Sequence, residues 1–397
     1  MRKIITVIIM CIIITTTIGV NASEDVNIKI GFAVNFNEKE TDFDSVIYNN
    51  THYVPFRKVF EMMDSVVFFR QRDNKILVLS RDGDTITHTV GENIITVNGV
   101  QKTVENPSFF IDEQTYIPID MVALALCPDK IYYKNKQLHI QKQLVTNQYH
   151  KVIREVLDVA KNENFYPERF KRYKDYHGKN PAYSMDDVIF RVNLGLDYPF
   201  YENIKVTDNP YDYLVLVNKY NQLPSGFSHQ NLVNMDNKYI LNDGKQYLLE
   251  QTAYEKYINL WEDAKEQGLT MRVVSAYRTE DYQRNLYNNK VKASGKIYAD
   301  MYSARAGHSE HQLGLAIDIS STKTVFEYTK EFEWLQKHAH EYGYIMRYPK
   351  DKEWITGYAY EPWHYRYVGV DVATAIHNMD ITYEEYYSKY IDVNEFK

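Results

Sequence analysis

The front of the chain, residues 28–142, alternates short apolar runs with turn-forming residues. The run from Lys75 to Ser80 (KILVLS) has the length and the branched aliphatic content of a strand. Asp82-Gly83-Asp84 and Val97-Asn98-Gly99 supply turn residues between such runs. This pattern predicts a small, mostly β domain that is built from hairpins.

One short segment occurs twice within this region. Tyr53 to Val59 (YVPFRKV) is echoed by Tyr116 to Val122 (YIPIDMV). In each copy an apolar strand end leads into a proline, and proline is well suited to the first turn of a helix. The echo therefore predicts an internal repeat in which a strand, a short helix and a hairpin follow one another.

The middle of the chain changes to helical spacing. Val152, Val156, Val159 and Ala160 recur at intervals typical of one helix face, with charged residues between them. We interpret residues 145–200 as two or three short helices that form a linker or a cap.

Helical and strand patterns are mixed in the last part of the chain. Gln246 to Gly268 has the apolar stripe of a long amphipathic helix, and Met271 to Tyr277 has the composition of a strand. Thr279 is a good N-cap for a second helix that reaches Lys292. A third helix is predicted from Lys330 to Tyr342, with Gly343 ending it.

The first residues have the pattern of a targeting segment. Arg2 and Lys3 precede an apolar stretch that begins at Ile4 and weakens towards Val20, with Ala22 at a suitable cleavage position. The stretch is shorter than the roughly 20 residues of a spanning helix. We expect a signal peptide over residues 1–22, with a retained membrane anchor through residues 4–20 as the alternative. Both predict a protein that is secreted or associated with the cell envelope.

The charge balance and the cysteine count exclude several classes of function. The 397 residues include 46 lysines and arginines against 53 aspartates and glutamates, which gives a net charge of −7. Because no basic surplus is available to neutralise phosphates, no nucleic-acid partner is expected. Cys11 and Cys127 cannot build a disulfide scaffold or a CxxC zinc site. Any metal site must therefore use histidines and carboxylates.

Histidines and carboxylates gather in two short segments near the C-terminus. His311 and Asp318 lie in the run GHSEHQLGLAID, and His364 ends the run EPWH. Two imidazoles and one carboxylate are a suitable ligand set for a catalytic zinc, which keeps one position open. We therefore take His311, Asp318 and His364 as candidate metal ligands.

Glu361 is the candidate general base. A zinc hydrolase needs a carboxylate that is not a ligand, because a proton must be accepted from the attacking water. A spacing of three residues would put Glu361 and His364 on opposite faces of a regular strand. Since both must reach one pocket, we expect a bend at Pro362.

A second candidate group follows the strand predicted to end at Tyr277. The guanidinium of Arg278 could bind a substrate carboxylate through two hydrogen bonds, or it could stabilise an oxyanion. Gln283, one turn into the next helix, could donate a hydrogen bond to the substrate backbone. Trp363 is suited to the core and to a substrate platform alike.

These segments resemble the VanY-type D-alanyl-D-alanine carboxypeptidases, which are zinc peptidases of the bacterial cell wall. The family pattern, Ser-x-His-x-x-Gly-x-Ala-x-Asp followed by Glu-x-x-His, is present at residues 309–318 and 361–364. The resemblance implies an α+β fold of the Hedgehog/DD-peptidase type, in which helices accompany an antiparallel sheet. It also implies a bound Zn²⁺.

The same resemblance implies a role for each candidate residue. The zinc ligands are His311, Asp318 and His364, and the general base is Glu361. Arg278 lies near the scissile bond or the terminal carboxylate, and Ser309 and Gln283 line the substrate. With Trp363, these residues form the complete set of expected site residues.

Residues 28–142 resemble the copper amine oxidase N-terminal-like domain that many secreted bacterial proteins carry. Its role is either a spacer that faces the cell wall or a ligand-binding module. The expected organisation has four parts: a targeting segment at 1–22, this domain at 28–142, a helical linker at 145–200 and a VanY-type zinc carboxypeptidase domain at 201–390.

Three functions are compatible with the sequence. The leading hypothesis is an exported zinc-dependent, serine-independent D-alanyl-D-alanine carboxypeptidase that trims the C-terminal residue of peptidoglycan stem peptides. An LD-carboxypeptidase or an endopeptidase of the same fold is the first alternative, because the metal centre alone does not separate these activities. A non-catalytic cell-wall binding protein with a structural zinc is the second. It predicts a fourth protein ligand, for which His308 is the nearest candidate.

Overall fold

The computed structural model describes residues 28–143, 148–160 and 164–392. The predicted signal peptide or membrane anchor lies outside these residues. Among the described residues, none of the helices combines the length and the apolar character needed to span a bilayer. The chain divides into two compact units, and the boundary lies between Val192 and Asn193.

The first unit contains two sheets. Its strands, in chain order, are β1 (Lys29–Phe36), β2 (Lys39–Tyr48), β3 (Thr51–Pro55), β4 (Val66–Arg70), β5 (Lys75–Leu79), β6 (Thr85–Thr89), β7 (Ile94–Val97), β8 (Val100–Thr103), β9 (Phe109–Ile111), β10 (Gln114–Pro118), β11 (Lys130–Lys134) and β12 (Gln137–Gln141). One sheet has the order β11-β12-β1-β2-β3-β10-β9, and the other is the meander β4-β5-β6-β7-β8. The prediction of a mostly β domain is confirmed.

The predicted repeat is visible at the centre of this unit. The two copies pair with each other as antiparallel strands β3 and β10, with Val54 opposite Ile117. Pro55 precedes helix α1 (Phe56–Met62), and Pro118 precedes helix α2 (Ile119–Leu126). Each helix leads into a hairpin, β4-β5 after the first and β11-β12 after the second. Both paired side chains are fully buried, so the echoed apolar positions form the middle of the core.

Three helices complete the first unit: α3 (Gln148–Asp158), α4 (Phe170–Lys179) and α5 (Met185–Asn193). Their buried side chains share one hydrophobic cluster with Phe68 on β4 and with Leu77 and Leu79 on β5. Of the two forms predicted for this segment, the structure therefore favours a cap on the second sheet over a free linker.

The second unit has an α+β architecture, as predicted. Its strands are β13 (Lys205–Val206), β14 (Asn221–Gln222), β15 (Leu232–Asn234), β16 (Leu248–Glu250), β17 (Val273–Ser275), β18 (Ala316–Ile319), β19 (Tyr344–Tyr348) and β20 (Glu361–Tyr367). The central sheet is antiparallel, with the order β17-β18-β20-β19. The helices are α6 (Gln251–Glu266), α7 (Glu280–Ser294), α8 (Lys296–Tyr302), α9 (Lys330–His338), α10 (Glu353–Thr356), α11 (Val370–Met379) and α12 (Tyr383–Tyr386).

The start of the long helix was predicted wrongly. Leu248–Glu250 forms strand β16, which pairs with β15, and α6 begins only at Gln251. The carboxylate of Glu250 caps the helix by accepting a hydrogen bond of 3.0 Å from the backbone N–H of Ala253. Leu249 extends the apolar stripe of the helix by coincidence, because it packs into the same core from a strand.

The other helix boundaries follow the predicted caps. Thr279 accepts a hydrogen bond from the backbone N–H of Tyr282 and so opens α7. A short 3₁₀ turn, Ala339–Tyr342, continues α9, and Gly343 ends it with a φ of 84°. A side chain at position 343 would clash with Tyr367 on β20, so the left-handed turn and the close packing both require glycine.

Candidate metal centre

Strand pairing in the central sheet aligns three polar side chains. Asp318 on β18 lies opposite His364 on β20 and opposite Ser275 on β17. Directly opposed residues of antiparallel strands project from the same face of a sheet. Residues that are far apart in sequence are thereby brought into one row.

His311 reaches this row from a 3₁₀ turn, Glu310–Leu313, that precedes β18. Gly314 ends the turn with a φ of 69°, and a Cβ there would lie 2.5 Å from Leu232. The Nδ1 atom of His311 is 2.7 Å from the carbonyl oxygen of Ala276, so a proton on Nδ1 would be donated to that carbonyl. This contact orients the ring and leaves Nε2 directed at Asp318, 3.4 Å from Oδ1.

His311, Asp318 and His364, the donor set from here on, converge on one point. One ligand atom from each lies within 4.8 Å of the others. Asp318 Oδ1 is 3.4 Å from His311 Nε2 and 3.2 Å from His364 Nδ1. Ligands bound at 2.0–2.1 Å to a tetrahedral zinc are about 3.4 Å apart, so both distances to Asp318 Oδ1 fit this ion, and two imidazoles with one carboxylate suit its chemistry.

The predicted fourth ligand does not join the donor set. His308 is buried, but its Nδ1 atom is 2.8 Å from the carbonyl oxygen of Asn218 and its ring packs edge-on against Tyr201. Among the described residues, the donor set is the only group of three or more histidines, cysteines and carboxylates that could hold a metal ion. Three protein ligands with a remaining open position are typical of catalytic zinc sites.

The electrostatics of the donor set favour a cation. Burial lowers the pKa of His311 to about 4, so this imidazole is neutral near pH 7. Burial alone would raise the pKa of Asp318, but the neighbouring His311, His364 and Arg278 hold it well below its usual range. His364 lies between two carboxylates, which raise its pKa to about 9 against the effect of burial. A positive charge is thus stabilised where the donor atoms meet.

Glu361 lies beside the donor set, as expected for a base that is not a ligand. Its Oε2 atom is 3.8 Å from His364 Nδ1. The expected bend is confirmed, because the pairing of β19 with β20 shifts between Met346 and Tyr348, and extra residues of β20 bulge out there. Burial raises the pKa of Glu361 to about 7. A carboxyl group with a pKa near neutrality is suited to accepting and returning a proton.

Arg278 is fixed by four hydrogen bonds. Nε and Nη2 donate to Ser275 Oγ at 3.1 and 2.8 Å, and Nη1 donates to Gln283 Oε1 at 3.3 Å. Nη2 also donates to Asp318 Oδ2 at 2.9 Å. Asp318 therefore offers one oxygen to the guanidinium and the other to the donor set. A guanidinium has five N–H groups, so one N–H on Nη1 is left for another partner.

All of the predicted site residues line one cavity of about 500 Å³. Gln283 is almost fully buried, and its Nε2 donates to the carbonyl of Ala304 at 2.8 Å, so its amide mainly supports Arg278. Trp363 lines the cavity and also packs in the hydrophobic core. The eight residues are Arg278, Gln283, Ser309, His311, Asp318, Glu361, Trp363 and His364.

Sequence reasoning missed four buried charged residues next to the site. Glu310, Arg347, Arg366 and Glu384, the ion cluster from here on, are each at most 3% exposed. A sequence pattern does point to the two arginines, because each interrupts a strand of aromatic and apolar residues, YIMRY and EPWHYRY. An arginine inside such a strand needs an acidic partner in the core.

Lys290 on α7 is a further cavity-lining cation that the sequence did not reveal. Its Nζ donates to the carbonyl oxygen of Tyr302 at 2.9 Å, which uses one of three N–H groups. Burial lowers the pKa of Lys290, and the carboxylate of Glu361 opposes that effect. The cavity thus contains a half-buried lysine near the predicted base.

Two family models match parts of this chain. The model of the VanY family, D-alanyl-D-alanine carboxypeptidase, matches residues 246–370. The model of the copper amine oxidase N-terminal domain matches residues 33–140.

Curated relatives match about half of the chain. YodJ of Bacillus subtilis (strain 168), which is named for a carboxypeptidase activity, is 36% identical over 224 residues, or 54% of this chain and 80% of YodJ. The D-alanyl-D-alanine carboxypeptidase of Enterococcus faecalis is 36% identical over 44% of this chain and 65% of its own length.

Two solved structures are also similar to somewhat less than half of the chain. The LdcB LD-carboxypeptidase is 37% identical over 47% of this chain and 91% of its own, with a TM-score of 0.45. VanYB in complex with D-alanine-D-alanine is 33% identical over 45% of this chain and 98% of its own, with a TM-score of 0.39.

Proposed function

The chain belongs to the VanY family of D-alanyl-D-alanine carboxypeptidases, and from this premise we propose that it is an exported zinc-dependent carboxypeptidase that trims peptidoglycan stem peptides. The observation that carries the proposal is the convergence of the donor set, with Glu361 beside it, in one cavity of about 500 Å³. A cavity of that volume accommodates the end of a peptide.

The donor set would hold the zinc ion through His311 Nε2, Asp318 Oδ1 and His364 Nδ1. A bound zinc supplies Lewis-acid polarisation of a carbonyl group and activation of water at neutral pH. Asp318 is held for this task by Arg278 on its second oxygen, and His311 by the carbonyl of Ala276.

Glu361 moves the proton in the proposed reaction. Its carboxylate accepts a proton from the water whose oxygen attacks the scissile carbonyl carbon. When the C–N bond breaks, the same carboxyl group returns the proton to the leaving amine nitrogen. The pKa of about 7 that burial gives Glu361 lets one group perform both transfers.

The hydrogen bonds of Arg278 favour one of its two predicted roles. Binding a carboxylate through two parallel hydrogen bonds needs two available N–H groups, whereas its four contacts leave one. A single N–H suits the oxygen of the scissile carbonyl, which gains negative charge during attack. Lys290, with two remaining N–H groups in the same cavity, is then the group that binds the terminal carboxylate of the peptide.

Export is supported by the N-terminal sequence, where Arg2 and Lys3 precede an apolar stretch. A stem-peptide carboxypeptidase needs this location, because its substrate is part of the cell wall. Fractionation of the producing cells tests it, and full-length protein in the cytoplasm would contradict it.

The decisive experiment is product analysis by mass spectrometry on synthetic stem peptides, with and without a chelator. We expect loss of one residue from the pentapeptide, no change in the tetrapeptide, and no reaction after chelation. Cleavage of the tetrapeptide alone would instead identify an LD-carboxypeptidase, and internal cleavage would identify an endopeptidase. Full activity in the metal-free protein would refute the proposal.

A further inference from the structure

We propose that Glu310 is a positioning residue that orients His364 for metal binding, and that Arg347 and Arg366 hold Glu310 in place. This inference rests on the proposed function, because it concerns the same metal centre. It assigns a role to a cavity-lining residue that does not belong to the donor set.

The two nitrogens of His364 face two different carboxylates. Nδ1 is 3.2 Å from Asp318 Oδ1 and belongs to the donor set. Nε2, on the opposite side of the ring, is 3.6 Å from Glu310 Oε2. Both of these atoms are buried, and neither has a hydrogen-bond partner among the described residues. The distance is just beyond a hydrogen bond, so a small movement would join the pair.

A carboxylate behind the ring selects its tautomer. A histidine binds a metal through an unprotonated nitrogen, so Nδ1 of His364 can act as a ligand only when the proton is on Nε2. Glu310 Oε2 is an acceptor placed for that Nε2 proton. Metal-bound histidines commonly donate their other N–H to a carboxylate or a carbonyl, which fixes the ring and makes it a stronger ligand. The carbonyl oxygen of Ala276 has the same role for His311, because it lies 2.7 Å from His311 Nδ1.

The ion cluster leaves one oxygen of Glu310 for this purpose. Oε1 accepts hydrogen bonds from Arg347 Nε at 2.8 Å and from Arg366 Nη1 at 3.0 Å. Arg347 is in turn held by Glu384, whose two oxygens accept from Nη1 and Nη2 at 2.8 and 2.6 Å. Both arginine contacts therefore engage Oε1, and Oε2 is directed towards His364.

Stability alone is a weak reason for burying four charged groups. Replacement of a buried ion network by apolar side chains is often neutral or stabilising, because desolvation offsets the attraction between the charges. Arg366 also donates to the carbonyls of Tyr213 and Val215 at 2.8 and 3.0 Å, which fixes the cluster to the backbone. The arrangement is explained if these contacts hold the carboxylate of Glu310 rigidly beside His364.

The zinc affinity of the full mature chain, measured by competition with a chelating dye, tests the inference. Glu310→Gln keeps the size of the side chain and weakens the acceptor behind His364, so we expect zinc affinity to fall about 10- to 100-fold. Glu384→Gln is the matched control, since it removes the same charge from the ion cluster without facing His364. We expect its zinc affinity to stay close to wild type, although both variants lose stability.

Three outcomes are decisive. Equal zinc affinity in Glu310→Gln and wild type, or equal losses in Glu310→Gln and Glu384→Gln, would overturn the positioning role while leaving the proposed function intact. A wild-type chain that binds no zinc would overturn the proposed function, and this inference with it.

Nitrogen-15 NMR of the wild-type protein loaded with zinc gives a readout that needs no variant. We expect the imidazole of His364 to be protonated at Nε2 and bound through Nδ1. Binding through Nε2 would overturn the inference even if the variants fail to fold.

Discussion

The ion cluster and the donor set are buried to the same degree, but they satisfy their charges in different ways. In the ion cluster, two arginines face two glutamates at 2.6–3.0 Å, and the charges cancel. In the donor set, one ligand atom from each of three residues lies within 4.8 Å of the others, and the guanidinium of Arg278 contacts only the second oxygen of Asp318, Oδ2. The described residues thus complete the first group by themselves, whereas the second is arranged to receive an ion.

The contrast predicts that removing a charge has different main effects in the two groups. Removal of a charge from the ion cluster leaves a buried partner without its counter-charge, so the free energy of unfolding decreases. A charge removed beside the donor set changes how protons and substrates are handled, and the fold is affected less. Four substitutions test this separation.

Glu361→Gln should have the largest effect. The amide cannot accept a proton from water, so kcat should fall about 10²- to 10⁴-fold, as measured by D-alanine release from the pentapeptide. Zinc content and the midpoint of unfolding should remain at wild-type values, because Glu361 is outside both groups. Wild-type turnover in this variant would show that another residue is the base.

Arg347→Met should have the next largest effect, on stability. It leaves Glu310 and Glu384 without their shared partner, so the free energy of unfolding should fall by about 3–5 kcal/mol in urea titrations of the mature chain. Arg284→Met is the matched control, because Arg284, which pairs with Glu280, has about half of its side chain exposed. Its loss should be about 0–1 kcal/mol. Equal losses in the two variants would contradict the distinct energetics of the ion cluster.

Arg278→Lys should lower kcat about 10²- to 10³-fold, since a developing oxyanion would lose its fixed donor. A lysine cannot contact Ser275, Gln283 and Asp318 at once, because its N–H groups share a single nitrogen. Arg284→Lys, on the helix α7 that follows Arg278, is the control, and its steady-state kinetics should be unchanged. A higher KM with unchanged kcat would instead assign Arg278 to the terminal carboxylate.

Lys290→Met should have the smallest effect and act mainly on binding. Loss of the contact with the terminal carboxylate should raise KM roughly tenfold and leave kcat nearly unchanged. Lys292→Met, an exposed neighbour on α7, is the control and should leave both constants unaltered. An unchanged KM in Lys290→Met would remove this residue from substrate recognition.

Local features of the fold could be predicted because short-range rules determine them. Thr279 as an N-cap and Gly343 as a helix end depend on a few neighbouring residues, and both were predicted correctly. The start of α6 was not, because Leu249 satisfies the helical stripe whether it lies in a helix or a strand. Pairing with β15, which is a tertiary contact, decided between the two.

The sequence by itself determined the chemical types at the metal centre, because the spacing of His311, Asp318, Glu361 and His364 matches a specific motif. It also indicated the bend at Pro362, since two side chains three residues apart had to reach one pocket. Only the tertiary structure decided which oxygen of Asp318 faces Arg278, which nitrogen of His364 faces Glu310, and that Arg347 and Arg366 meet the same carboxylate. Those contacts join residues 37 to 56 positions apart, and strand register and burial, which no local pattern encodes, bring them together.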